Sequence, residues 1–282
     1  MNEKLDELKQ IATQVRRDII RMIHAAKSGH PGGSLGCADF MTALFFNILN
    51  CTPNNISQNG NGQDMFFLSN GHISPVLYSV MARRGYFPVC ELETFRLLGT
   101  RLQGHPSPHY QLPGIRAASG SLGQGISVAI GAALAKKNNQ DPNLIYVLCG
   151  DGELQEGQNW EALLFAAANK IDNLLLIIDY NRKQIDGSIE DVCTLENLHT
   201  KLKAFEWNVI EMQGNDMEDI HKQMDEAKKL AHNSKPVVVI MHTEMGMGVD
   251  FMMGTHKWHG TPPNDEQAQT ALKQLPETLG DY

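Results

Sequence analysis

The sequence predicts an α/β protein, a parallel sheet with helices on both faces, and three observations carry that expectation. Short, nearly pure aliphatic runs at residues 144–148, 174–178 and 236–241 have the pattern of strands covered on both faces. Between them lie segments whose apolar residues recur at spacings of three and four, as on amphipathic helices. The first two runs also end in polar, glycine- or asparagine-containing turns, the alternation that builds β-α-β units with all their turns at one sheet edge.

Taken in order, Leu5, Leu8, Ala12, Val15, Ile19, Met22 and Ala26 mark one face of a helix over residues 3–26, stopped by the glycines and proline of residues 28–34. Gly32-Gly33-Ser34-Leu35-Gly36 is a literal G-x-S-x-G. A nucleophile elbow needs a strand before its serine, however, and a helix precedes this one, so hydrolase chemistry is excluded on context. Residues 38–49 read as a second helix, 52–63 as a polar loop and 65–68 as a strand leading into the turn Ser69-Asn70-Gly71-His72, which opens another helix. Residues 99–121 are rich in Gly, Pro, His and Ser. Uncommitted stretches of that length are functional or disordered, and the apolar flanks favour function.

The glycine-rich run at 119–125 enters a small-residue helix at 126–137. Glycines there let backbone N–H groups approach an anion such as a diphosphate, although glycine also serves plain helix packing. After the strand at 144–148 the chain turns through Gly150-Asp151-Gly152 into a helix at 156–169, then a strand at 174–178 that ends on Asp179 and Asn181. A helix at 195–205, a strand at 207–212, a helix faced by Met217, Ile220, Met224, Ala227 and Leu230, and the strand at 236–241 follow. Residues 246–263 carry too much Gly and His to be core. With no composition break, repeat or low-complexity tract, residues 1–282 read as a single domain.

Charge and composition narrow the function. Hydrophobic residues make up 42% and charged residues 20%, with a net charge of −8, values of a globular protein without the basic runs that track nucleic acid. No apolar stretch approaches the roughly 20 residues of a membrane helix, and the charged start lacks a signal core. Five scattered cysteines without a C-x-x-C pair read as reduced thiols, which places the protein in the cytoplasm. Asp151 and Asn181 are separated by one strand-helix-strand repeat, so a carboxylate and an amide oxygen can reach the same point at the sheet edge where α/β proteins bind ligands. Hard oxygen donors of that kind suit Mg²⁺ or Ca²⁺ bridging to the phosphates of a ligand.

The segments SGHPGGSLG, LSNGH, LQGHP, SGSLGQG, GDGELQEGQNWEA, the strand ending at Asn181 and the final WHG together resemble, in order, the amino-terminal half of transketolase. The resemblance implies a thiamin-diphosphate-binding fold and a divalent metal, Mg²⁺ with Ca²⁺ or Mn²⁺ as alternatives, held by Asp151, Asn181 and the main-chain carbonyl of Lys183. It places Gly120, Ser121, Leu122 and Gly152 on the diphosphate side with His72 and His259 close by, and His30, His105 and His259 facing the sugar, where imidazoles suit proton transfer. Glu156 and Glu161 match acidic positions that couple paired cofactor sites; as plain structure they put negative charge in the first turns of a helix.

The implied reaction is transfer of a two-carbon ketol unit from a ketose phosphate to an aldose phosphate. The pyrimidine-binding module and the third domain of the family have no room in residues 264–282. The resemblance is therefore to the amino-terminal subunit of a split enzyme, inactive alone, expected to work in an α2β2 heterotetramer with a carboxyl-terminal partner subunit. Two alternatives remain beside it: the α subunit of a 2-oxo acid dehydrogenase, which lacks SGHPGGSLG and WHG, and a non-catalytic cofactor-binding scaffold, which would not need the sugar-facing imidazoles. Ser107 to Pro113, Arg116, Met245 and Met247 depart from the family pattern, which puts the identity of the sugar in question.

Overall fold

The computed structural model describes residues 2–282. Its centre is a five-stranded, fully parallel sheet built from β1 (Met65–Leu68), β2 (Ile145–Gly150), β3 (Leu174–Tyr180), β6 (Asn208–Gln213) and β7 (Val237–His242), in the spatial order β1-β2-β3-β7-β6. A small antiparallel hairpin, β4 (Lys183–Gln184) with β5 (Gly187–Ser188), follows β3 directly.

The aliphatic runs become strands because each residue has somewhere apolar to go. Tyr146, Leu148, Leu175, Ile177, Val237 and Val239 belong to one buried cluster, while the alternating Ile145, Val147, Leu174, Leu176, Val238 and Ile240 belong to the other. The two-residue period of a strand sends neighbours to opposite faces, and here both faces are dry. The first face is covered by α1 (Asn2–Ala26), α2 (Pro31–Gly36), α3 (Ala38–Ala43), α4 (Ser74–Arg84), α9 (Met217–Leu230) and α10 (Asp265–Gln274). The second is covered by α5 (Gly125–Asn138), α6 (Gly157–Ala168), α7 (Ile189–Cys193) and α8 (Leu198–Ala204). The expected α/β architecture with helices on both faces is observed.

The differences are local and have physical causes. The segment at 28–34 does stop α1, but Pro31 sits at the first positions of a new short helix, where its missing N–H costs nothing. Ser34 is buried within that helix and its hydroxyl donates to the carbonyl of His30 at 2.7 Å, so the G-x-S-x-G serine presents no nucleophile. The helix expected over 38–49 ends at Ala43 and continues as a π turn, Leu44–Ile48. α10 was not anticipated, although Asn264 and Gln267 form a reciprocal capping box at its start. Among the described residues no helix is long and apolar enough to cross a membrane.

Ile177 is fully buried in a central strand. Ile177→Ala should lower the unfolding free energy by about 3 kcal/mol, through lost transfer energy plus the cavity left behind, measured as a shift of the urea transition.

Candidate functional site

The polar residues of the sheet collect at its carboxyl edge. β2 ends at Gly150 and the backbone N–H of Asp151 donates to the carbonyl of Asp179 on β3 at 3.2 Å, which joins the two strand ends. The Asp151 carboxylate then accepts from the N–H of Gly152 at 2.7 Å and of Arg182 at 2.5 Å. Asn181 stands beside it: its side-chain Nδ2 donates to Asp179 at 2.9 Å and its Oδ1 accepts from the N–H of Lys183, the first residue of β4, at 3.0 Å. The thirty-residue separation thus does bring the Asp151 carboxylate and the Asn181 amide together.

Asp151 is 2% exposed. Burial and the neighbouring charge of Asp179 hold its carboxyl well above the usual carboxylate range, and burial raises Asp179 as well. Among the described residues neither carboxylate forms a salt bridge. Two buried carboxyls without a cation are costly, so this corner suits a divalent ion bound by one carboxylate, an amide oxygen and a main-chain carbonyl.

The cleft that this corner lines also carries a wall of imidazoles. The rings of His30 and His72 lie 5.0 Å apart, those of His72 and His259 5.1 Å, and those of His30 and His259 5.7 Å. Four hydrogen bonds hold this wall and the adjoining loop of His105 in place. The N–H of Gly32 donates to the carbonyl of Trp258 at 2.9 Å and the N–H of Gly246 to the carbonyl of Gly32 at 2.9 Å, which locks the turn carrying His30 against the loop carrying His259. Gly32 is required for that approach, since a Cβ would lie 2.6 Å from Met245 and 2.8 Å from the Trp258 carbonyl. The loop bearing His105 is held from α4, where the Ser74 hydroxyl donates to the carbonyl of Gly104 and the Tyr78 hydroxyl to that of Gln103, both at 2.8 Å.

Burial lowers the basicity of all four rings. His30 is depressed to about 4 by burial, then by His259, Arg96 and His105; His72 lies well below its ordinary value, chiefly from burial. His105 is lowered by burial and Arg96, and His259 by burial. Near neutral pH the wall is uncharged, with each ring able to accept at one nitrogen and donate at the other.

One open cleft is lined by His30, His72, His105, Gly120, Leu122, Asp151, Gly152, Asn181, Lys183 and His259, most of the positions singled out from sequence. Ser121 is exposed beside it and not part of the lining, and neither is Glu156. Glu156 is exposed at the start of α6, with no capping bond from its side chain, and Glu161 is exposed on the same helix. Sequence reasoning missed Asn70, Glu153, Asp179 and Ile185, which also line the cleft. Asp179 closing a strand and Glu153 in the G-D-G-E turn were visible as acidic residues at element ends; Ile185, 60% exposed, gave no signal. Four buried side-chain atoms around the cleft, His30 Nδ1, Asn70 Oδ1, Ser119 Oγ and His259 Nδ1, have no hydrogen-bond partner, the condition of a site built for a polar ligand.

Because His30 titrates near 6.5 when unfolded and about 4 when folded, the unfolded chain takes up the proton first as pH falls. Its contribution to stability is therefore complete above about 6.5 and is lost progressively towards 4. Thermal melts at about pH 7.5 and about pH 5 should show a smaller loss of Tm on acidification for His30→Gln than for the parent chain.

Comparison with known proteins identifies the family of this chain. Residues 8–278 match the family described as "Transketolase, thiamine diphosphate binding domain". The chain is 36% identical over 276 residues to a protein of Phocaeicola vulgatus named as one subunit of apulose-4-phosphate transketolase, covering 98% of this chain and 96% of that protein. It is 36% identical over 275 residues to the 6-deoxy-6-sulfo-D-fructose transketolase subunit SqwG of a Clostridium species, covering 98% of each. Against human transketolase the identity is 33%, over 97% of this chain but 42% of the human protein. The fold superposes on transketolase from Leishmania mexicana with a TM-score of 0.87 at 30% identity, over 97% of this chain and 42% of that one. The chain belongs to the transketolase family, as the thiamine diphosphate binding domain that full-length enzymes carry in less than half their length and that the relatives named as transketolase subunits carry over nearly the whole of theirs.

Proposed function

We propose that this chain is a single diphosphate-binding module supplying the metal and diphosphate half of a two-chain, thiamin-diphosphate-dependent transketolase, which moves a two-carbon ketol unit from a ketose phosphate to an aldose phosphate. The observation that carries this reading is the one cleft that Asp151 and Asn181 line together with the neutral rings of His30, His72 and His259. Asp151, Asn181 and the Lys183 carbonyl would hold Mg²⁺, Ca²⁺ or Mn²⁺, and the buried carboxyls that lack a cation support the fit. Gly120, Leu122 and Gly152, which line the cleft, would take the diphosphate side together with the exposed Ser121 between them in sequence.

When bound, thiamin diphosphate supplies the nucleophilic carbon and the electron sink for two-carbon transfer. The protein side of the chemistry is orientation and proton handling. His30, His105 and His259 would each present a neutral ring that hydrogen-bonds the sugar hydroxyls, accepting at one nitrogen and donating from the other, and burial keeps them in that form at neutral pH. His72, packed against the rings of His30 and His259 and held neutral by burial, would hydrogen-bond phosphate oxygen.

The second chain is inferred from the open cleft and from relatives named as subunits. We place the pyrimidine-binding module on that carboxyl-terminal partner, the assembly as an α2β2 heterotetramer and the enzyme in the cytoplasm. The donor is open to a non-standard ketose. Two relatives are named for apulose 4-phosphate and 6-deoxy-6-sulfo-D-fructose, and this chain carries the altered segment Ser107-Pro108-His109-Tyr110-Gln111-Leu112-Pro113 next to His105.

Mixing the chain with its partner subunit, thiamin diphosphate and Mg²⁺ should produce ketol transfer from xylulose 5-phosphate or a modified ketose phosphate. The chain by itself should be inactive; transfer without a partner would overturn the two-chain reading. In the assembled enzyme Asp151→Ala should weaken thiamin diphosphate binding by about 100-fold or more, and unchanged retention of the cofactor would refute the metal site.

A further inference from the structure

We propose that Glu153 is the positioning residue of the diphosphate side of the cleft, acting through the turn at 120–125 rather than by touching the cofactor. The inference rests on the site reading above and assigns a role to a residue that reading leaves unused.

Glu153 is 3% exposed, and its carboxylate is the meeting point of three segments that each contribute to the cleft. Oε1 accepts from the Ser69 hydroxyl at 2.5 Å, just past the end of β1, and from the backbone N–H of Gly123 at 2.8 Å. Oε2 accepts from the backbone N–H of Gly150 at 3.3 Å, at the end of β2. Ser69 is followed by Asn70 and His72, Gly123 is preceded by Gly120 and Leu122, and Gly150 leads into Asp151 and Gly152; all six of those neighbours line the cleft. A single carboxylate thus sets the spacing between the metal corner, the glycine turn and the histidine wall.

The residue is itself immobilised. Its main-chain carbonyl accepts from Asn159 Nδ2 at 2.6 Å and from the N–H of Glu156 at 3.1 Å, so the side chain projects from a fixed point in the short 3₁₀ turn Gly152–Gln155. Gly123 adopts a φ of +85°, a conformation disfavoured for other residues, and the bond from its N–H to Glu153 holds the turn in that shape. Without this anchor the backbone N–H groups of the turn would have to be ordered by the diphosphate on binding, at the expense of affinity.

A carboxylate is also needed as opposed to any polar group. All three partners donate, two of them backbone N–H groups. A glutamine can turn its NH₂ away from only one of those N–H groups, leaving the other donor facing a donor.

The test is thiamin diphosphate binding by calorimetry to the assembled two-chain enzyme in saturating Mg²⁺, combined with amide exchange at Gly123 in the cofactor-free enzyme. Glu153→Gln should raise the Kd by about tenfold and speed exchange at Gly123, under conditions where circular dichroism matches the parent. Ser69→Ala, which removes one donor and leaves the backbone contacts, should raise the Kd by about threefold. A folded Glu153→Gln enzyme that binds within about twofold of the parent would overturn the proposal and leave Glu153 a purely structural tie. Should Glu153→Gln fail to fold, Ser69→Ala decides: a Kd within about twofold of the parent overturns the proposal, and a rise of about threefold supports it. Failure of the parent enzyme to bind thiamin diphosphate would instead refute the site reading, and the inference with it.

Discussion

The site depends on the burial of two carboxylates at the ends of adjacent central strands. Asp151 and Asp179 sit where β2 and β3 finish, both nearly inaccessible to water; burial raises both carboxyls, and the charge of Asp179 makes Asp151 harder still to ionise. Isolated, such a pair would be expelled or protonated. It is kept in place by donors that the sheet edge supplies: the N–H groups of Gly152 and Arg182 for Asp151, and the Asn181 amide and Thr243 hydroxyl for Asp179. Because Asn181 donates its Nδ2 to Asp179, its Oδ1 is directed elsewhere, and the amide becomes a donor to one acid and an oxygen ligand candidate beside the other. A cation is the remaining element that would balance this corner.

The sheet explains why so much polarity converges there. Strands buried on both faces have no room for charge along their length, so polar side chains collect where the chain leaves the sheet, and in parallel sheets those ends of successive β-α-β units share one edge. The edge alone makes a rim, however. The cleft has walls because loops distant in sequence are fastened over it, with Gly32 bound to Trp258 and Gly246, and the loop bearing His105 bound to α4. The same packing that gathers the imidazoles strips them of solvent, which is why their pKa values fall and why they act as neutral hydrogen-bonding groups.

Those two scales of organisation account for what could be read from sequence. The central strands β2, β3 and β7 were legible because burial on both faces forces aliphatic runs, and Asp151 and Asn181 because a β-α-β repeat converts sequence separation into spatial coincidence. The histidines were legible only through ordered motifs, since nothing in the spacing of His30, His72 and His259 says that loop tethers bring their rings within 5.7 Å of one another. α2 was misjudged as a simple stop because proline ends one helix with the same residue that opens the next. Glu153 and Asp179 were passed over because a buried acid and a surface turn acid look alike until their donors are known. Ser121 and Glu156 lie in matched motifs but are exposed and outside the cleft lining, since a motif fixes the backbone path more firmly than the surroundings of each side chain.

The electrostatics of the cleft indicate how it can hold an anion at all. The protein is acidic, with a net charge of −8, and the ring wall is neutral. Lys183, which lines the cleft, is engaged with Glu244 at 3.2 Å, and Arg182 is exposed and paired with Glu190. A diphosphate therefore meets no concentrated positive side-chain charge from this chain. In the proposed function its attraction would come from a divalent cation in the Asp151–Asn181 corner and from backbone N–H groups in glycine turns, whose donors cost little to desolvate and need no counter-ion. A site of that proposed kind would bind only with the metal and the turn geometry both in place, which would tie affinity for the anion to the same strand ends and tethers that built the cleft.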